Sequence, residues 1–308
     1  MFRFIMPDPE LDRSGQIHFL NKQFDAFLYS DALRELFCLL DVDRSSFSRI
    51  YNGRRFSDGK VLETQELEPL AALDQHRERI YPLLEELGFF SINKPVEADH
   101  SHLVVLGGSL EACYTRTEAA KNWSTPAARS IDGLACYRPI NPKERVGISC
   151  LSDCDTEFRA MAESFTSVFS LTPIWTDDFQ SDRNLNSISC VRSFFDSKEE
   201  RQYRVFAAPS TQPEQRRADT GDSFLFYLQK TKLSAADSLL FLTNNRYCNR
   251  QFLQIAFLLM KQEHPVRFDI IGCTPDERVI SCERYDPFQF FQDLIGVLDW
   301  IDLFMREM

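Results

Sequence analysis

The stretch HLVVLGGSLEACYTRTEAAKNW, residues 102–123, reads as a buried β-strand that enters a two-glycine turn and leaves it as a helix. The unbroken apolar run from Leu103 to Leu106 suits a strand covered on both faces, and the run after Ser109 has helical spacing. The same unit recurs downstream. Strands are expected at IDGLACY (131–137), YRVFAA (203–208), SLLFLT (238–243) and VRFDIIG (266–272), and helices at 109–123, 156–169, 218–230, 248–261 and 287–306. Alternation of this kind predicts an α/β fold, because each parallel connection needs a crossover and a helix is its usual form. The expectation is a Rossmann-like, mostly parallel sheet of about five strands with helices on both faces.

Upstream the pattern changes. FLNKQFDAFLYSDALRELFCLL (19–40) and LEPLAALDQHRERIYPLLEELGFF (67–90) carry apolar residues at helical spacing, separated by a polar loop around Tyr51 to Gly59. Residues 1–97 are therefore read as an N-terminal helical region, 98–285 as the Rossmann-like domain, and 286–308 as a C-terminal helix packing on it. The acidic, serine-rich segment 171–202 reads as an insertion or a long surface loop.

Composition narrows the function classes. Of 308 residues, 44% are hydrophobic and 26% charged, the balance of a folded globule. A net charge of −11 opposes general nucleic-acid coating and binding to anionic membranes. No apolar run of about 18 residues occurs, and Pro7, Asp8, Pro9 and Glu10 interrupt the N-terminus before a signal-peptide core forms, so a soluble, cytoplasmic protein is expected. The nine cysteines lack paired metal-ligand spacing and read as reduced thiols with no metal site.

In an open parallel sheet, ligands sit beyond the carboxyl ends of the strands, so the residues following each predicted strand carry the functional reading. Gly107, Gly108 and Ser109 follow the first strand, with Arg116 about two turns into the helix. Glycine there permits positive φ and lets a ligand approach the helix N-terminus, although a packing role explains it equally. Arg138 and Glu144 follow the second strand, Arg217, Asp219, Thr220 and Asp222 the third, and Thr243, Asn244, Arg246 and Arg250 the fourth. Arg116, Arg138, Arg217 and Arg250 on one edge of an acidic chain point to a site for phosphate or carboxylate.

Asp219 or Thr220 can cap a helix with Asp222 in its first turn, and Glu157 opens another helix where the dipole favours an acid. The same carboxylates can hold a ribose hydroxyl, orient a water, or share a metal. Both readings stand. No histidine presents itself as a base: His102 starts the first strand at the end away from these residues, and Ser109, Cys113 and Cys248 have no histidine partner in view, which disfavours a covalent hydrolase.

At these residues the chain resembles the YdcF/SanA-like family of Rossmann-like domains. VVLGGSLEACYTRTEAA (104–120) is similar to that family's first strand, glycine turn and arginine-bearing helix, and CYRPINPKE (136–144) to its second-strand loop. TEFRAMAESF (156–165), RRADTGDSFLF (216–226) and LTNNRYCNRQ (242–251) follow in the family's order. The resemblance implies S-adenosylmethionine binding or a cell-envelope role, and the strand-end residues themselves suit a nucleotide. The combined expectation is a protein that binds, and hydrolyses or transfers a group on, an anionic nucleotide-like or phosphorylated small molecule, with Glu157, Asp219 and Asp222 in catalytic roles. The alternative is a non-catalytic small-molecule sensor or interaction module on the same fold.

Overall fold

The computed structural model describes residues 1–52, 56–57, 60–61, 73, 75–90, 92, 94–144, 148–172, 174–194, 201–273 and 287–308. The chain forms two compact units, one of residues 1–93, 245–253 and 275–308, the other of residues 94–244 and 254–274. Among the described residues no helix is long and apolar enough to cross a membrane.

The first unit is helical. Helices α1 (Arg13–Leu28), α2 (Asp31–Leu39), α3 (Arg44–Asn52) and α4 (Arg77–Glu86) are joined in it by α9 (Pro287–Glu307). Asp12 and Ser30 cap α1 and α2 by accepting from Gly15 N and Leu33 N, donors that the first helical turn leaves unbonded. After α4 the chain turns at Gly88, whose φ of 86° suits glycine and where a Cβ would meet the Phe2 carbonyl. Aromatic rings fill the interior: Phe24 meets Phe304 at 5.3 Å, Phe47 meets Phe291 at 5.2 Å, and Phe4 stacks on Phe252. The C-terminal helix thus belongs with the N-terminal helices. The loop expected from Tyr51 to Gly59 and the Leu67–Asp74 start of the second helical run lie largely outside the described residues.

The second unit is α/β and Rossmann-like. Its strands are β1 (His102–Leu106), β2 (Ser130–Ala135), β3 (Trp175–Gln180), β4 (Ser189–Phe194), β5 (Gln202–Ala207), β6 (Ser238–Thr243) and β7 (Arg267–Gly272). They form one seven-stranded sheet in the order β3-β4-β5-β2-β1-β6-β7. The five strands expected from sequence are all present, and all are parallel. Helices α5 (Leu110–Trp123), α6 (Glu157–Phe169), α7 (Thr220–Lys230) and α8 (Cys248–Lys261) connect them, α8 starting in the helical unit and ending in this one.

Alternation along the strands sorts the two faces. Leu103, Val105, Ile131, Val205, Leu240 and Leu242 join the core of α5 and α6. Phe206 and Phe241 point the other way, to Tyr227 and Phe224 of α7. The segment expected as a loop, 171–202, contains the hairpin β3-β4, antiparallel to each other and to β5. Its edge strand is exposed throughout, so no hydrophobic alternation marks it. Besides its antiparallel ladder to β4, the strand is held by Arg192, which binds Asp177 at 2.8 and 2.9 Å and lies 4.4 Å from the Trp175 ring centre.

The α7 face also buries charge. Parallel register sets His102 beside Ser130 and Asp132 beside Arg204. Asp132, fully buried, accepts from Arg204 at 2.8 and 3.0 Å, from Tyr227 at 3.0 Å and from Ser130. With the Ser130 hydroxyl directed at Asp132, His102 donates from Nδ1 to Ser130 Oγ (2.7 Å) and accepts at Nε2 from Arg129 (3.3 Å). Burial, against the pull of Asp132 and with the help of Arg129 and Arg204, lowers the His102 pKa to about 4. The unfolded chain therefore takes up a proton near pH 6.5 that the folded chain refuses until about pH 4. This contribution is complete above pH 6.5 and disappears as the pH falls to about 4, amounting to about 3 kcal/mol at 1.36 kcal/mol per pKa unit. The expected result is that His102→Asn, which keeps a donor toward Ser130, shows a shallower loss of stability between pH 7 and 4.5 than the parent chain. Urea denaturation at a series of pH values measures it.

Candidate functional site

The parallel strands run β5-β2-β1-β6-β7, so the chain winds outward in opposite directions from β1 and β6. Reversal of this kind opens a crevice beyond the carboxyl ends of those two strands, where open α/β sheets place their ligands. The residues there are Gly107, Gly108 and Ser109 after β1, and Thr243 with Asn244 at the end of β6.

Ser109 caps α5 by accepting from Ala112 N. Neither glycine of the turn has a positive φ, so the left-handed turn expected from sequence is not why they are there. Close approach is the reason. A Cβ on Gly107 would overlap the Glu157 carboxylate and stand 2.7 Å from the Leu134 carbonyl oxygen. One on Gly108 would press on Ala112 Cβ at 3.1 Å and Arg116 Nη1 at 3.3 Å.

Glu157 and Arg138 form the floor. The backbone of Glu157 donates to the Arg138 carbonyl, which fixes the start of α6 against the end of β2. Arg138 Nε meets Glu157 at 3.0 Å, its Nη1 and Nη2 meet the two oxygens of Glu144 at 2.6 and 3.1 Å, and Nη2 also reaches the Gly108 carbonyl at 2.8 Å. Burial alone would disfavour the charged guanidinium, but both carboxylates outweigh it and keep Arg138 protonated. Burial, reinforced by Glu157, pushes the thiols of Cys113 and Cys136 up to about 12, so both stay neutral.

Arg116 is placed differently. Only 2% exposed, it turns back from α5 so that Nη1 donates to the carbonyls of Leu106, at 2.7 Å, and Gly107, while Nε donates to Asn244 Oδ1 at 3.0 Å. It therefore ties β1 to β6 across the crevice. Among the described residues no carboxylate lies within ion-pair distance of it. Thr243, fully buried and next to Asn244 in sequence, has a hydroxyl without a hydrogen-bond partner among the described residues.

Of the remaining expected residues, Arg217 stays near the floor, while the others lie in two other places. Asp219, Thr220 and Asp222 open α7, where Asp219 and Asp222 form a reciprocal capping box. Asp222 is buried and pairs with Arg216, the neighbour of the expected Arg217, and it also accepts from the Thr211 hydroxyl at 2.7 Å. Burial pushes its carboxyl up, but Arg216, Thr211 and the Asp219 backbone together hold it below 3.8. Capping thus accounts for both aspartates. Arg217 stands close enough to Cys136 for its charge to act on that thiol. Arg250 belongs to the helical unit, where it meets buried Asp293 at 3.0 Å, alongside Arg246 at 3.2 Å.

Among the described residues no group of His, Cys, Asp or Glu is arranged to hold a metal ion. Sequence reasoning passed over Arg216, and also the His102–Ser130–Asp132–Arg204 network; polar residues inside otherwise apolar strands were the available signal. No family model, curated protein or solved structure matches this chain.

The fit of Gly107 against a carboxylate and a backbone carbonyl sets a test. Gly107→Ala is expected to cost about 1–3 kcal/mol, the range for overpacking a filled site. Gly108→Ala, facing only side-chain atoms, is expected to cost less. Urea denaturation of both variants gives the comparison.

Proposed function

We propose that the α/β unit binds a small molecule that presents an anionic group, the phosphate of a nucleotide or the carboxylate of S-adenosylmethionine, at the carboxyl ends of β1, β2 and β6. The observation that carries this reading is Arg116: a buried guanidinium whose hydrogen-bond acceptors are neutral, set behind a glycine turn and the N-terminus of α5. A buried cation is costly unless an opposite charge answers it, and the helix N-terminus adds its own attraction for an anion. The backbone at Gly108 passes close to the guanidinium, so the turn and the cation face the same end of the sheet. The resemblance to the YdcF/SanA-like family adds S-adenosylmethionine to the ligands worth testing.

Binding without turnover is the form of this reading that the side chains favour. Glu157 is committed to Arg138, Asp222 to Arg216 and the α7 cap, and the nearby thiols are held neutral. A general acid or base needs a proton free to move, and these carboxylates are fixed in ion pairs.

The test is calorimetry and thermal unfolding with a panel of ATP, ADP and S-adenosylmethionine, with mass spectrometry of the mixture afterwards. At least one ligand is expected to stabilise the protein, by about 2.7 kcal/mol at a hundred times its dissociation constant, with no product formed. Ser109→Asp keeps a good helix cap and places a negative charge at the turn, so it should fold normally and lose affinity at least tenfold. Arg116→Lys keeps the charge and should lose less. Unchanged affinity in Ser109→Asp, or absence of binding across the panel, would refute the site; product formation would refute the non-catalytic form.

A further inference from the structure

At the opposite end of the same strands lies a concavity of about 740 Å3, bordered by the amino ends of β1, β2 and β5 and by the segments that follow α5 and α7. Its lining includes Arg129, Arg201, Arg204 and Lys232, with His102 and Ser130 beside them, and no carboxylate is among the lining residues described. The carboxylates that pair with two of these cations, Asp132 with Arg204 and Asp237 with Arg129, are buried and outside the lining, so the face turned to the concavity is cationic in a chain of net charge −11.

The cations are held in place. Arg204 is fixed by its two bonds to Asp132, and Arg129 by Asp237. Arg201 is anchored through the carbonyls of Ala128 and Thr125, both at 2.9 Å, and the Ser124 hydroxyl. Lys232 is exposed just beyond the end of α7. Anchoring of this sort lowers the entropy lost when a ligand is clamped, and guanidinium forks match the oxygens of a phosphate. The volume falls within the range of small-molecule pockets, so it admits the group that carries the phosphate as well as the phosphate itself.

We propose that this pocket is a second ligand site, one that takes the phosphate of a phosphorylated small molecule, separate from the site at the carboxyl ends of the strands. Lys232 at the rim supplies charge that meets the ligand, and the anchored guanidiniums of Arg129, Arg201 and Arg204 form a cationic wall, which His102 and Ser130 line as neutral groups.

Inorganic pyrophosphate is the probe, titrated into the full chain and followed by calorimetry and 31P NMR. Lys232→Glu, at an exposed position, should weaken its binding at least tenfold, and Arg201→Gln should weaken it in the same direction. Lys261→Glu changes net charge equally but stands away from the pocket lining, and should alter the affinity less than twofold. Ser109→Asp should leave a pyrophosphate-binding event in place, which separates this pocket from the crevice at the far end. The proposal fails if pyrophosphate does not bind, if Lys261→Glu weakens binding as much as Lys232→Glu, or if Ser109→Asp abolishes every binding event.

Discussion

Strands buried along nearly their whole length leave a charged side chain no access to water, so each must find its opposite within reach of the sheet's own geometry. Asp132 meets that condition through register. Its direct neighbour on β5 is Arg204, and the helix on the same face brings Tyr227. A slip of one residue would turn Asp132 into the hydrophobic core of α5 and α6 and strand Arg204, so this pair selects the register that the apolar residues alone would specify less sharply. Ser130 and His102 extend the selection to β1.

The carboxyl end is built on the same constraint with different parts. Glu157 sits where a helix dipole favours an acid, and its burial is made tolerable by Arg138, which Glu144 shares. That ion-pair cluster needs room, and Gly107 provides it by having no side chain. The two arginines of the turn therefore differ in kind. Arg138 is neutralised by two carboxylates, whereas Arg116 spends its hydrogen bonds on carbonyl and amide oxygens and retains its charge. The contrast between these partner sets distinguishes a structural cation from one able to attract a ligand.

The five parallel strands and their helices were legible because each strand is a short apolar run bounded by turn residues and each helix carries an apolar stripe. The β3-β4 hairpin was not, since Trp175, Asp177, Asp178 and Phe179 are all exposed and the strand is held by its pairing to β4 and by Arg192. Strand-end positions pointed to Gly107, Arg116, Arg138 and Asn244, and the structure joins Arg116 to Gly107 and Asn244, and Arg138 to Gly108, by hydrogen bonds. Partner choice was beyond that logic: nothing local says that Arg216 rather than Arg217 faces Asp222, or that Arg250 meets Asp293 from a distant helix. His102 was set aside because attention went to one end of the sheet, although a histidine, a serine, an aspartate and an arginine inside buried strands already signalled a polar network there.

Among the described residues, several of the unit's reactive side chains are tied into its structure. A serine becomes a nucleophile when a base accepts its proton, but the Ser130 hydroxyl points at Asp132, an ionised group bound by Arg204, while His102 presents its own proton to Ser130 Oγ. A cysteine becomes one as a thiolate, and burial keeps Cys113 and Cys136 protonated. Glu157 could take up a proton only by weakening its pair with Arg138, which would leave that buried guanidinium to Glu144 and the Gly108 carbonyl. Among the described residues of the α/β unit, the ion pairs of Asp132, Glu157 and Asp222 thus serve position, and Arg116 at one end of the sheet and Lys232 at the other are the cations on which the two proposed sites depend.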